Sequence, residues 1–66
     1  MNLWVNGERA EVTDVANVAD LAKHYGLQPN SVLIEHNQVA LHQREWAERK
    51  VMEGDRIEFV RVVAGG

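Results

Sequence analysis

Only one stretch of this 66-residue chain repeats its apolar residues with the period of an α-helix, and that limits the possible folds more than any other feature. Val18, Leu21, Ala22 and Tyr25 fall at i, i+3, i+4 and i+7, one stripe along a helix. Asn17 stands in front of the stripe as an N-cap, and Asp20 sits at N3, where a carboxylate reaches back toward the cap. Gly26 supplies the left-handed residue that ends the helix.

The other apolar segments read as strands. Asn2-Leu3-Trp4-Val5 is a short run rich in β-formers, and Asn6-Gly7 after it is a strong two-residue hairpin signal, because both turn positions need positive φ. Glu8 to Val12 pairs back as the second strand. Leu27 to Asn30 connects the helix to a third strand, Ser31 to His36, with Val32 and Ile34 on one face. Asn37-Gln38 turns the chain into a short fourth strand, Val39 to Leu41. Gln43 to Lys50 is polar except for Trp46 and Ala47 and reads as a turn or short helical segment. Glu53-Gly54-Asp55 is a tight turn into the last and longest strand, Arg56 to Val62. One helix cannot cover both faces of a sheet. The expected architecture is an α+β roll: a mixed sheet of four to five strands, the helix packed on one face, the other face open.

Composition narrows the function classes. The apolar share of 45% suffices for one core, so residues 1–62 are expected to be one domain, with 63–66 as a tail. A chain this short has little room for walls around an internal catalytic cavity. It has no cysteine, which removes disulfides, thiolate metal sites and thiol nucleophiles, and fits the reducing cytoplasm. The net charge of −3, from 10 acidic and 7 basic residues, does not favour nucleic acid or anionic membrane. Neither a signal peptide nor a membrane span is legible. His24, His36 and His42 match no metal-binding spacing, so no metal is expected. No nucleophile, base and orienting group can be assembled, so no catalytic residues are assigned.

The C-terminal residues carry the chemistry that remains. Gly has no Cβ and the largest backbone entropy to lose, so Ala64-Gly65-Gly66 reads as a thin, mobile thread able to pass down a narrow channel of another protein. A terminal carboxylate, with a pKa of about 3.3–3.7, is ionised at neutral pH. It can attack the α-phosphate of ATP to give an acyl-adenylate, from which a sulfur nucleophile displaces AMP. Alone, a Gly-Gly end is far more often a frayed terminus or a cloning remnant; its place directly after Val60 to Ala64 on the roll gives it weight.

Taken together, several segments resemble one family: Val5-Asn6-Gly7-Glu8, the helix closed by Gly26, His36-Asn37-Gln38-Val39, Trp46-Ala47, Glu53 to Glu58, and Val63-Ala64-Gly65-Gly66. The chain resembles the ThiS-type sulfur carriers of thiamin biosynthesis from Met1 to Gly66. The resemblance implies a ubiquitin-like β-grasp fold, with Gly66 as the adenylation and thiocarboxylate site and Ala64 and Gly65 as its tail. It implies three partners: a ubiquitin-activating-type enzyme using ATP and Mg²⁺, a cysteine-derived sulfur donor (a desulfurase or persulfide protein), and thiazole synthase. The carrier itself binds no cofactor and is a co-substrate, not an enzyme. The family often has Pro-Arg where this chain has His42-Gln43, and usually an apolar residue in place of His36. His36 is expected to be partly buried, with a backbone carbonyl as its partner.

In a β-grasp sheet the last strand lies between the first and third. Leu3, Val5, Val32, Ile34, Ile57 and Phe59 then share the helix-covered face, and Trp4, Leu33, Val60 and Val62 take the open one as a partner-binding patch. Trp46 is expected to cap one end of the core, and Arg44, Glu45, Glu48, Arg49 and Lys50 to form a solvated face. Two rival functions remain open. The small subunit of molybdopterin synthase has the same tail chemistry but is usually longer. A plain β-grasp interaction module has none.

Overall fold

A computed structural model describes residues 1–62. The tail expected over 63–66, with Ala64, Gly65 and Gly66, lies outside the described residues.

The chain runs β1 (Asn2–Val5), β2 (Glu8–Glu11), α1 (Val18–His24), β3 (Val32–His36), β4 (Val39–Leu41) and β5 (Arg56–Arg61), with 3₁₀ turns at Pro29–Ser31 and Gln43–Glu45. The five strands form one sheet in the order β2-β1-β5-β3-β4. β1 and β5 run parallel, and the remaining neighbours are antiparallel. The last strand therefore sits at the centre, between the first and the third. This is the β-grasp roll.

Local chemistry explains the elements. Asn6 and Gly7 take φ of 50° and 81°, the two positive values that let β1 and β2 pair with a two-residue turn. The second tight turn does this without glycine, with Asn37 at φ 50° and Gln38 at 71°. Asn37 is fastened by its side chain, which accepts from the Arg56 N–H at 2.9 Å and donates to Asp55 at 3.2 Å.

All four N–H groups of the first turn of α1 find acceptors, which a helix start needs when it is packed inside a fold. Val18 donates to the Arg49 carbonyl at 2.9 Å and Ala19 to the Trp46 carbonyl at 3.1 Å. Asp20 donates to Asn17 Oδ1 at 2.8 Å and Leu21 to the Asn17 carbonyl at 3.1 Å. The Asp20 carboxylate reaches one residue beyond the cap and accepts from the Ala16 N–H at 3.0 Å. Gly26, at φ 65°, ends the helix.

The core lies between α1 and the covered sheet face. Leu3, Val18, Leu21, Ile34 and Ile57 are fully buried there, with Val12, Val32, Val51 and Trp46 around them. Tyr25 departs from the helical stripe: it is the C-cap, its backbone has left helical geometry (φ −91°, ψ 4°), and its ring is partly exposed. It packs edge-on against Phe59 with ring centroids 5.4 Å apart, and Phe59 is accordingly only half-buried at the margin of the core. No helix among the described residues is long and apolar enough to cross a membrane.

Candidate functional site

The open sheet face is ordered by strand register into successive cross-strand rows. In the first, Trp4 stands between Arg9 of β2 and Arg56 of β5. Two residues further along β5, Glu58 faces Glu35 of β3. Two residues beyond that, Val60 faces Leu33. Val62 follows, its N–H donating to the Ser31 carbonyl at 2.9 Å, which carries the β3–β5 pairing past the end of β5.

The side chains on these rows point to solvent because successive strand residues alternate faces. Trp4 is 42% exposed, Leu33 59% and Val60 52%, and Val62 is exposed as well. Register brings Leu33, Val60 and Val62 together at the end of the sheet where the chain leaves β5. It does not bring Trp4 to them: the Glu35–Glu58 row lies between. On the open face these exposed apolar residues thus form two parts, an aliphatic one at the end of β5 and an indole flanked by two arginines. Gly66, Gly65 and Ala64 lie outside the described residues.

On the covered side, sequence reasoning missed a second polar cluster. His36 is 5% exposed, the one buried polar side chain among the described residues. The parity it shares with Val32 and Ile34 puts it on the core face, where a polar group needs partners. Those partners are two side chains, not the expected backbone carbonyl. Arg49 Nε donates to His36 Nδ1 at 2.8 Å. Nδ1 is then an acceptor, so the ring proton is on Nε2, which donates to Asp55 Oδ2 at 2.7 Å. Arg49, expected on the solvated face with Arg44, Glu45, Glu48 and Lys50, is instead partly buried by this contact. Burial pushes the Asp55 carboxyl up. Hydrogen bonds from His36, the Met52 N–H and Asn37, with the pull of His36, more than offset this and hold it below the usual aspartate value. His36 alone signalled the cluster; its partners lie 13 and 19 residues away in the chain.

The cluster fastens the segment before β5 to the sheet and lies at the start of β5, away from its C-terminal end, since His36 pairs with Ile57. Trp46 is buried as the cap of the core, and its indole N–H finds no acceptor among the described residues. Nowhere among the described residues do three His, Cys, Asp or Glu side chains stand close enough to share a metal ion.

Comparison with known proteins places this geometry. The model of the ThiS family matches residues 3–66. The crystal structure of a thiamine biosynthesis protein (ThiS) from Geobacter metallireducens superposes with a TM-score of 0.84 at 32% identity, covering all of both chains. An NMR solution structure of a thiamine biosynthesis protein from the same organism gives 0.83 at 32% identity, covering all of this chain and 88% of that one. An uncharacterized protein of Trieres chinensis, ycf40, is 25% identical over 63 residues, which is 96% of this chain and 86% of that protein.

Proposed function

This chain belongs to the ThiS family, and from that premise we propose that it is a sulfur carrier of thiamin biosynthesis whose reacting group is the carboxylate of Gly66. The observation that carries the reading is the family match running through residue 66, on a fold that matches a solved ThiS protein over its whole length. The carrier works in the cytoplasm as a protein co-substrate.

The chemistry follows from the one group suited to transfer. A carboxylate oxygen of Gly66 attacks the α-phosphate of ATP, bound with Mg²⁺ in a ubiquitin-activating-type enzyme, and pyrophosphate leaves. The acyl-adenylate now has AMP as a good leaving group. A sulfur nucleophile, supplied as a persulfide drawn from cysteine, attacks the acyl carbon and expels AMP. The product is an acyl disulfide; a second thiol of the sulfur-donating partner attacks the donor's own sulfur, closes a disulfide there and releases the carrier as a thiocarboxylate, which gives its sulfur to the thiazole ring on thiazole synthase. Glycines at 65 and 66 present the least side-chain bulk to a narrow channel. The aliphatic patch of Leu33, Val60 and Val62, next to the tail, and Trp4 on the same face are the surface that docks the partners.

Intact-mass analysis tests this. Incubated with ATP, Mg²⁺, the cognate adenylating enzyme and a cysteine-derived sulfur source, the chain should gain one sulfur and lose one oxygen at its C-terminal fragment, and only with ATP present. Removing Gly66, or extending the chain beyond it, should abolish the change without altering circular dichroism or thermal melting. Absence of both adenylate and thiocarboxylate with a verified active partner refutes the carrier and favours a plain interaction module.

A further inference from the structure

We infer that the docking partner presents an arginine, flanked by a branched apolar side chain, and that Glu35 and Glu58 receive that arginine while Leu33 and Val60 receive its neighbour. The inference builds on the docking role proposed above for the open face.

The register sets Glu35 and Glu58 directly opposite each other across the β3–β5 ladder, both exposed on the uncovered face. Side chains opposed in this way have their Cβ atoms roughly 4.5–5.5 Å apart, and like charges there are destabilising. Nothing in the free chain relieves the pair: neither carboxylate has a lysine, arginine or histidine nitrogen within ion-pair distance among the described residues. Arg56 shares the strand and the face with Glu58, yet closes no bridge to it. Repulsion kept at the centre of a sheet, one row from two exposed aliphatic side chains, is removed when a cation is set between the two acids.

Shape selects the kind of cation. A guanidinium is planar, offers five N–H donors in a fixed fork and bridges two carboxylates, whereas an ammonium is a compact point charge. The adjoining row is apolar, so the arginine must come with an aliphatic neighbour that covers Leu33 and Val60. A polar anchor beside an apolar one also fixes the direction in which the partner lies along the sheet. That matters for a carrier whose tail leaves from the same end.

Two measurements test this on the full chain. In the first, a blocked Leu-Arg-Val tripeptide is titrated while backbone amides are followed by NMR, with blocked Leu-Glu-Val as the control. Saturable shifts should gather at residues 33–35 and 58–60 with the arginine peptide only, and should vanish in E35Q/E58Q. Equal shifts with both peptides, no saturable shift, or an undiminished response in the double variant overturns the inference. Self-association of the chain alone that disappears in the same variant also overturns it, by putting a second copy on the face.

In the second, affinity for the adenylating enzyme is measured at low and high salt. E35Q/E58Q should bind about tenfold more weakly at low salt, with a flatter salt dependence. Unchanged affinity and salt slope, with docking lost in Leu33→Asp, would mean that the apolar row is used and the acids are not read. A positive peptide titration beside an enzyme that binds no form of the chain keeps the surface and removes the proposed pathway partner.

Discussion

His36 and Asp55 meet through one 2.7 Å hydrogen bond that joins strand β3 to the turn before β5, and Arg49 completes the arrangement from the other side of the ring. The imidazole is held with its proton on Nε2.

This cluster sets an acid limit on stability. The folded-state carboxyl of Asp55 lies below its unfolded value, so its contribution is full above the usual aspartate range and is lost as pH falls through the folded value. Urea midpoints measured from neutral pH down to about pH 2 should fall more steeply in the wild type than in Asp55→Asn. At neutral pH, Asp55→Asn should cost about 1–3 kcal/mol, because a charge-assisted hydrogen bond is weakened. Parallel curves for the two proteins would show that Asp55 does not carry the acid dependence.

Arg49 should matter more than an exposed arginine does. Arg49→Ala leaves the buried Nδ1 of His36 without a donor, an expected loss of about 1–3 kcal/mol, whereas Arg44→Ala, on an exposed position, should stay within about 0.5 kcal/mol. Denaturant unfolding of the two variants separates the cases, and equal effects would contradict the geometry.

The Asn37-Gln38 turn offers a gain. Gln38 holds φ at 71°, a conformation that costs an L-residue with a side chain about 1 kcal/mol and costs glycine nothing. Gln38→Gly should raise the melting temperature by a few degrees, corresponding to about 0.5–1 kcal/mol after the larger unfolded-state entropy of glycine is subtracted. A lower melting temperature would show that the Gln38 side chain contributes more than its backbone costs.

Trp46 should divide by substitution. Trp46→Ala removes a buried bicyclic ring and is expected to cost about 3–5 kcal/mol. Trp46→Phe loses part of that volume but also the indole N–H, which has no acceptor among the described residues, so its cost should stay near 1 kcal/mol. Thermal melting of the pair gives the comparison. Similar losses would mean that the indole nitrogen is satisfied in solution.

The sequence exposed the elements and their faces more readily than the neighbours across strands. Asn6-Gly7, the Asn17 cap and Gly26 mark boundaries through their own backbone chemistry, so the hairpin and helix were legible residue by residue. Alternation within each strand assigns a face, so the exposure of Trp4, Leu33 and Val60 could be read from parity. Which residue stands beside which depends on register between segments far apart in the chain. For that reason the separation of Trp4 from the aliphatic row, and the opposition of Glu35 to Glu58, appear only in the fold. His36 announced a buried polar site by its place on the core face, but nothing local indicates Arg49 or Asp55 as its partners. Tyr25 fitted the helical stripe by spacing alone, and the helix stops one residue before it.

The central strand of the sheet is the last to be made. Until Arg56 to Arg61 has been synthesised, the β1–β2 hairpin and the β3–β4 hairpin have no strand between them, and the start of α1 still depends on carbonyls of Trp46 and Arg49. A growing or truncated chain that stops at Asp55 therefore exposes two inner edges and a core without Ile57, the kind of surface that associates with itself. Because β5 is both the central strand and the last strand in sequence, the two hairpins become one sheet only when the C-terminal strand is in place.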